Sequence, residues 1–289
     1  MVRVGLVGCG TIGSQLAKAL ERTYRQTARI TALLDSDSRH ARALQQQLRS
    51  HPPIVSLARL IQRSDLVVEA ASAEVVGEVV RRALRADRSV FVMSVGGLLA
   101  DQHWPRLVRR SRGRIYIPSG ALAGLDGVKA MALGRIRRVS LTSRKPPKAL
   151  ACAPYVQRRK LSLSHLARPT VVFEGSPQAV VKAFPQNTNI AAALTLAMHQ
   201  HPNGTGDRRT SPIRVRIVAD QSQEVVDIAR AEMGPLHVAT EAISGWRDKT
   251  HGNIRAGGFC TRSPGEATRR LLVQLCRAKN GGGIQVRVV

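Results

Sequence analysis

A glycine-rich turn near the amino end of the sequence has the residue types and spacing needed to bind phosphate. Gly8, Gly10 and Gly13 form a GxGxxG pattern, which follows a compact apolar run and precedes residues with helical apolar spacing. In this pattern the first glycine permits a tight turn, the second lets the backbone approach a pyrophosphate, and the third lets the helix pack closely on the strand. The helix N-terminus adds free N–H groups and the positive end of its dipole. The residues expected to bind the pyrophosphate of a dinucleotide cofactor are Gly8, Gly10, Thr11, Ile12 and Gly13.

An acidic residue ends the next apolar run. Asp35 follows the run 30–34 and lies 22 positions after Gly13. A carboxylate at that spacing accepts hydrogen bonds from the adenosine ribose hydroxyls and repels the 2′-phosphate of NADP, so Asp35 favours NAD. Arg39 lies nearby and suits a 2′-phosphate, so NADP is the alternative cofactor. A second interpretation of Asp35 is a cap on the helix predicted to follow it.

The elements that must position these residues alternate along the first 120 residues. Apolar runs of strand length recur between segments of helical spacing, which predicts a Rossmann-type α/β fold: a doubly wound parallel sheet with right-handed crossovers. Ligands of such sheets bind beyond the carboxyl ends of the strands. We therefore expect Ala71, Ser72 and Ser94 to line the cofactor cleft, although ordinary turn chemistry explains them equally well. The further predicted strands are 66–71, 89–94 and 114–118, and the predicted helices are 74–84 and 104–110.

The composition excludes general disorder, because 43% of the 289 residues are hydrophobic. The net charge is +26, and it is spread along the chain: 19 basic and 9 acidic residues in 1–120, 17 and 7 in 121–240, and 9 and 3 in 241–289. Aromatic residues make up 3%, which leaves few stacking platforms for single-stranded nucleic acid. We interpret the charge as a solvated basic surface and do not expect a nucleic-acid partner.

The cysteines indicate a reduced, cytoplasmic setting. The four cysteines are widely separated and form no CxxC pair, which fits neither a disulfide framework nor a zinc site. We therefore expect no metal. The N-terminal apolar run is too short for a signal peptide. No run of 18 apolar residues exists, so we expect no membrane-spanning helix and no membrane partner.

After residue 120 the pattern changes to that of an α+β domain. The runs 138–143, 170–173 and 213–219 have strand character, and the last alternates Ile and Val with Arg, as in a half-buried strand of an antiparallel or mixed sheet. Helices are predicted at 177–184 and 190–200, with a loop at 202–212. This half of the chain is expected to bind the substrate.

An ordered set of motifs resembles the L-aspartate dehydrogenase family. Each string is short, but together they span about residues 1–220 in the family's order, and the ordered set is specific. The motifs are GCGTIG at 8–13, PSGALAGLD at 118–126, RKPP at 144–147, VVFEGS at 171–176, FPQNTNIAAALTLA at 184–197 and VRIVAD at 215–220.

The resemblance implies an enzyme that oxidises L-aspartate with NAD(P) to iminoaspartate. Iminoaspartate hydrolyses to oxaloacetate and ammonia or enters NAD biosynthesis. It also implies a homodimer formed through the second domain, and a terminal helix that returns to the first. The expected organisation is an NAD(P)-binding domain at 1–120, an α+β substrate domain at 121–262 and a C-terminal helix and tail at 263–289.

Two further cofactor residues follow from the resemblance. Ala121 and Asn189, the second Asn of QNTN, match cofactor-binding positions of the family. A small residue lets a nicotinamide ring approach the backbone, and an amide that both donates and accepts can hold its carboxamide or ribose. Without the resemblance, Ala121 is interpreted as a turn residue and Asn189 as a helix cap.

A dicarboxylate substrate requires cations. Arg144, Lys145 and Lys148 are the predicted clamp, because guanidinium binds carboxylate in a bidentate manner and ammonium groups supply further charge. Without the resemblance, such a cluster is more often a solvated face.

The chain departs from the family where proton transfer is expected. The family carries Asn-x-His shortly after the VRIVAD motif, and that His is its proposed catalytic residue; here the segment reads DQSQEVVDI, and no His lies between 202 and 236. A general acid/base must still deprotonate the substrate ammonium or activate water on the imine. Replacement candidates are His237, His251 and Asp227, each better explained as ordinary surface or strand sequence, and the catalytic residue stays unassigned. The chemistry is relocated, or the chain binds NAD with little aspartate turnover, or its C-terminal region departs from the ancestral reading frame.

Overall fold

The computed structural model describes most of the first 220 residues and several segments beyond them. The described residues are 1–101, 103–118, 125, 128, 129, 136–164, 166–185, 188–198, 213–221, 224–233, 236–245, 254–256 and 286–288. The chain divides into two compact units, one formed by Met1–Pro118 with Gly265–Val289 and the other by Ser119–Pro264. The domain boundaries expected at residues 120 and 262 stay predictions.

Strands and helices alternate in the first unit, and strands dominate the later part of the second. In chain order the described strands are β1 (Val2–Val7), β2 (Ala28–Leu34), β3 (Leu66–Glu69), β4 (Ser89–Val92), β5 (Ile115–Ile117), β6 (Arg138–Lys145), β7 (Thr170–Gly175), β8 (Ile213–Ala219), β9 (Glu224–Met233), β10 (Leu236–Gly245), β11 (Ile254–Ala256) and β12 (Val286–Val288). The described helices are α1 (Thr11–Thr23), α2 (Ser38–Gln47), α3 (Leu57–Gln62), α4 (Val76–Arg85), α5 (Val95–Ala100), α6 (Trp104–Val108), α7 (Pro147–Leu150), α8 (Pro154–Arg158), α9 (Pro177–Ala183) and α10 (Asn189–Met198).

The first unit contains the doubly wound parallel sheet that the sequence predicts. Its strand order is β12-β5-β4-β3-β1-β2, and every neighbouring pair is parallel. Val7 of β1 lies level with Leu34 of β2 and Glu69 of β3, and Glu69 lies level with Val92 of β4. Four strands therefore end at the same edge. Because the chain order reverses beside β1, this edge has the crevice in which such sheets bind ligands.

Amphipathic helices pack on this sheet. The buried residues of α1 include Leu16 and Leu20, which repeat at helical spacing and pack in one cluster with Leu33 and Phe91 of the strands. Phe91 is fully buried. Truncation to alanine at such a site removes roughly 3–5 kcal/mol of unfolding free energy. The strands that carry the edge therefore rest on a packed core.

The second unit has a mixed sheet in the order β11-β10-β9-β6-β8-β7. Strands β6 and β8 are parallel, and the other neighbouring pairs are antiparallel. In β8 the side chains of Val215 and Ile217 are buried while those of Arg214 and Arg216 are exposed. The half-buried strand of a mixed sheet that the Ile/Val–Arg alternation predicts is therefore confirmed.

Other elements differ from the sequence expectations. The hairpin of β9 and β10 was not predicted. The segments EVVDIARAEM and LHVATEAISG contain many polar residues and show no clear alternation of apolar and polar side chains. Helix α8 occupies part of a stretch that shows no clear periodicity, and β6 continues two residues past its predicted end at Ser143. The loop predicted at 202–212 lies outside the described residues, and so does the segment 263–285, where the C-terminal helix is expected. Within the described chain, no helix has the length and apolar character needed to cross a membrane.

Candidate functional site

The glycine turn after β1 has the geometry of a phosphate cradle. Gly8 has φ +93°, a conformation that side chains rarely adopt, and a Cβ there would meet the backbone of Ala70. A Cβ on Gly13 would overlap the carbonyl oxygen of Gly8, whereas a Cβ on Gly10 would have no atom within 4 Å. Gly8 and Gly13 are therefore required by the fold itself, and Gly10 leaves open space over the start of α1. A pyrophosphate fits that space, because the first-turn N–H groups of a helix have no partner within the helix.

Asp35 ties this turn to the end of β2. Its side chain is 11% exposed. Its Oδ2 accepts a 2.6 Å hydrogen bond from the backbone N–H of Cys9, and its Oδ1 accepts a 2.8 Å bond from the N–H of Asp37. The carboxylate thus lies beside the glycine turn, and its remaining lone pairs are available to further hydrogen-bond donors.

The helix cap belongs to another residue. Asp37 is the N-cap of α2 and its side chain accepts from the N–H of Arg39, so the interpretation of Asp35 as that cap is wrong. The Arg39 guanidinium also donates to both oxygens of Asp37, which lowers the pKa of that carboxyl to about 2. Arg39 is 88% exposed and pairs with Asp37, whereas Asp35 has no arginine partner among the described residues.

Cys9, inside the glycine motif, is not a nucleophile. The residue is 3% exposed, and burial together with the nearby Asp35 carboxylate raises the pKa of its thiol to about 12. The thiolate is the reactive form of cysteine, and this one stays protonated at neutral pH. Its small size and its backbone N–H are what the site uses.

A buried carboxylate that the sequence reasoning missed lies at the end of β3. Glu69 is fully buried, and its Oε1 accepts from the N–H of Ala71 at 2.9 Å and from Oγ of Ser94 at 2.8 Å. Its Oε2 accepts from the N–H of Ser94 at 3.0 Å. Burial raises the pKa of Glu69, and these hydrogen bonds oppose the shift. In the sequence, the signal for this carboxylate is an acidic residue at the end of the apolar run LVVE. A carboxylate in a buried strand indicates hydrogen-bond partners nearby, because an unpaired one is almost never fully buried.

Glu69 brings together two of the three residues expected at this edge. Ala71 is exposed and Ser94 is half-buried, so both reach the surface of the crevice. Ser72 is half-buried too, and its hydrogen bond lowers the pKa of Glu74. Ser94 is the N-cap of α5, yet its hydroxyl makes no capping bond and donates to Glu69 instead.

In the second unit the predicted basic cluster is divided between two faces of the sheet. Lys145 is 8% exposed and shares the buried face of β6 with Leu141 and Ser143. Arg144 is on the exposed face, where its guanidinium lies 4.0 Å from a carboxylate oxygen of Asp220. Because successive side chains of a strand alternate, Arg144 and Lys145 do not converge on one carboxylate.

Two buried polar groups stand next to each other on that face. Among the described residues, Oγ of Ser143 is buried and has no hydrogen-bond partner, whereas the Lys145 ammonium is not among the buried groups that lack one. The Ser143 hydroxyl and the Lys145 ammonium are both groups that pair with an anion. Lys148, on α7, is exposed and lines a cavity of about 490 Å³ together with Lys160, Ser162 and Ser164.

The remaining predicted residues are less defined. Asn189 is the first residue of α10 and is exposed. Asp227 lies in β9 opposite Ser143 of β6, and His237 lies in β10 opposite Glu232; the side chains of this hairpin are not described at those positions. Ala121 and His251 lie outside the described residues.

Comparison with known proteins matches both halves of the chain. The profile described as "Homoserine dehydrogenase, NAD binding domain" matches residues 8–117, and "Aspartate dehydrogenase, C-terminal" matches residues 126–245. The L-aspartate dehydrogenase of Methanocella arvoryzae is 37% identical over 250 residues, covering 84% of this chain and 88% of the relative. That of Methanosarcina barkeri is 38% identical over 250 residues, covering 84% and 89%. That of Bradyrhizobium diazoefficiens is 36% identical over 219 residues, covering 76% and 74%.

Solved structures agree on the fold. The aspartate dehydrogenase of Thermotoga maritima aligns with a TM-score of 0.66 at 23% identity, covering 98% of this chain and 100% of that one. GenD2 from gentamicin A biosynthesis, in complex with NAD, aligns with a TM-score of 0.54 at 12% identity, covering 98% and 89%. At these identities the likeness concerns the fold alone.

Proposed function

Since this chain belongs to the L-aspartate dehydrogenase family, we propose that it is an NAD(P)-dependent oxidoreductase acting on L-aspartate. The reaction converts L-aspartate and NAD(P)⁺ to iminoaspartate, NAD(P)H and a proton, and water then converts iminoaspartate to oxaloacetate and ammonia. The observation that carries the proposal is the glycine cradle joined to Asp35 in a chain whose two halves both match this family. Three finer statements belong to the same proposal: a homodimer, a cytoplasmic location and a role in NAD biosynthesis.

The cofactor is held by the edge of the first unit. When bound, its nicotinamide ring supplies the hydride acceptor. The first-turn amides of α1, with Gly8, Gly10, Thr11, Ile12 and Gly13, bind the pyrophosphate. Asp35 accepts from the adenosine ribose and repels a 2′-phosphate, so NAD is preferred. Arg39 would have to leave Asp37 to serve NADP, which supports the same preference.

The other half of the cofactor lies toward β3 and β4. Ala71, Ser72 and Ser94 line that part of the edge. Ala121 and Asn189, which match cofactor positions of the family, complete the set. These assignments rest on strand order and on the family resemblance.

The substrate carboxylates are held by lysines of the second unit. Lys145 is 8% exposed and lies on the same face of β6 as the unpaired hydroxyl of Ser143, and its ammonium group suits a substrate carboxylate. Lys148 is exposed beside a cavity and offers a second ammonium. Arg144 faces Asp220 on the opposite side of the sheet, so we assign it a smaller part in binding.

Proton transfer is the step that this chain performs without the family's usual residue. No His lies between residues 202 and 236, and His237, His251 and Asp227 are the replacement candidates. This departure favours a second candidate function, an NAD-binding protein of the same fold with weak turnover. A third is a related dehydrogenase acting on another amino or hydroxy acid.

A substrate panel separates the three functions. The purified full-length chain is mixed with NAD⁺ or NADP⁺ and with L-aspartate, D-aspartate, L-glutamate, L-homoserine or L-malate, and NAD(P)H absorbance is followed. Turnover greatest with L-aspartate supports the proposal. Turnover greatest with another acid supports the related dehydrogenase, and NAD⁺ binding without turnover supports the weakened protein.

A further inference from the structure

Glu69 connects the two turns that follow β3 and β4. The carboxylate accepts three hydrogen bonds: from the N–H of Ala71, from the N–H of Ser94 and from the Ser94 hydroxyl. Ala71 belongs to the turn before α4, and Ser94 to the turn before α5. Each donor is a group that lies beyond a strand end, at the edge that binds ligands in this fold. One buried side chain therefore sets the distance between two turns of the crevice.

The same bonds decide which groups Ser94 offers to a ligand. A serine hydroxyl has one proton and two lone pairs, and here the proton is given to Glu69. Ser94 can then only accept a hydrogen bond from a molecule in the crevice. The hydroxyl is not used to cap α5, although Ser94 occupies the cap position, so local helix chemistry does not explain its orientation.

The position of this pair along the sheet indicates which half of the cofactor it meets. The pyrophosphate cradle follows β1, and Asp35 places the adenosine ribose beside β2. Strands β3 and β4 lie on the other side of β1. A dinucleotide that spans the crevice therefore lays its nicotinamide half over the turns that Glu69 connects.

We propose that Glu69 is a positioning residue for the nicotinamide half of the cofactor, acting by orienting the Ser94 hydroxyl as a hydrogen-bond acceptor. A carboxylate is suited to this role because it accepts from all three donors at once. A glutamine of the same shape would present an NH₂ group to one of them and leave that donor unpaired. The inference rests on the proposed use of NAD(P), and it is independent of the substrate.

Calorimetric titration of the full-length chain with NAD⁺ and with ADP tests it, because ADP lacks the nicotinamide and its ribose. Glu69→Gln and Ser94→Ala are each expected to weaken NAD⁺ binding about tenfold and to change ADP binding by less than about twofold. The double variant is expected to bind NAD⁺ no more weakly than Glu69→Gln alone, since both changes remove one contact. Glu78→Gln, an exposed change on α4, is the matched control and should alter neither ligand.

The results that overturn the inference are distinct from those that overturn the proposed function. Unchanged NAD⁺ affinity in Ser94→Ala, or equal loss of NAD⁺ and ADP in Glu69→Gln with its melting temperature unchanged, would contradict it. If Glu69→Gln fails to fold, Ser94→Ala tests the same contact between the Ser94 hydroxyl and the cofactor. Asp35→Asn reports on the cofactor site itself: it should weaken both ligands, and if it weakens neither, the proposed cofactor site is wrong.

Discussion

The backbone N–H of Cys9 donates a 2.6 Å hydrogen bond to Oδ2 of Asp35, and this bond joins the phosphate cradle to the end of the neighbouring strand. The cradle and the Asp35 carboxylate are therefore linked within the protein itself, before any ligand enters. Preorganisation of this kind lowers the ordering cost of binding.

Alanine substitutions at two glycines of the cradle should have different effects on stability and on NAD⁺ binding. Gly13→Ala puts a Cβ into the carbonyl oxygen of Gly8, so the unfolding free energy should fall by about 1–3 kcal/mol. Gly10→Ala meets no protein atom and should leave the unfolding free energy nearly unchanged, but its Cβ fills the space for the pyrophosphate and should abolish NAD⁺ binding. Urea unfolding and calorimetry measure the two effects. Tight NAD⁺ binding by Gly10→Ala would show that the phosphates lie elsewhere.

Asp35→Asn should change cofactor preference. The amide loses the charge that repels a 2′-phosphate, and its NH₂ must face one of the two backbone donors that Asp35 accepts from. We expect NAD⁺ affinity to fall about tenfold and the ratio of NADP⁺ to NAD⁺ affinity to rise. Titration with both cofactors measures the ratio, with Glu78→Gln as control. A constant ratio would mean that Asp35 does not face the ribose.

The pair of Asp37 and Arg39 should be visible in an acid titration. Arg39 lowers the pKa of Asp37 from 3.8 to about 2, so the contribution of this pair to stability is present above pH 3.8 and is lost as the pH falls toward 2. In Arg39→Ala the pKa should return toward 3.8, as measured by carboxyl NMR chemical shifts. Arg42→Ala, on the same helix, is the control and should leave the pKa of Asp37 low. An unchanged pKa in Arg39→Ala would contradict the pairing.

Substitutions at two adjacent residues of β6 should distinguish a cation that binds the substrate from a cation on the protein surface. Lys145→Met removes the ammonium group, so KM for L-aspartate should rise about tenfold or more while NAD⁺ affinity stays constant. The melting temperature should hold, because the largely buried side chain is replaced by an apolar one of similar length. Arg144→Met, on the opposite face, should change KM far less. Equal effects of the two variants would refute the assignment of Lys145.

Much of the first unit follows from its sequence. The apolar runs that became β1, β3, β4 and β5 are buried on both faces over most of their length and therefore read as continuous hydrophobic segments, and the GxGxxG spacing locates the cradle between a strand and a helix. The role of Asp35 stays a prediction, but its place beside the glycine turn follows from the parallel order of β1 and β2.

Other features depend on tertiary structure that local patterns do not encode. Glu69 is satisfied by Ser94, which is 25 residues away in sequence, so its burial is a property of the sheet and not of the segment LVVE. The division of Arg144 from Lys145 required knowing that β6 extends to Lys145, because only then does strand alternation apply to both residues. The β9–β10 hairpin is formed by long-range pairing with β6, which outweighs its weak local pattern.

The most direct test of the central claim is to follow the hydride. L-Aspartate deuterated at Cα is incubated with NAD⁺ and the purified chain, and the reduced cofactor is analysed by mass spectrometry, with Gly10→Ala as the cofactor-site control. The account predicts NADH that carries the deuterium and forms with the wild-type chain only. Bound NAD⁺ with no deuterated NADH would contradict aspartate dehydrogenase activity in this protein.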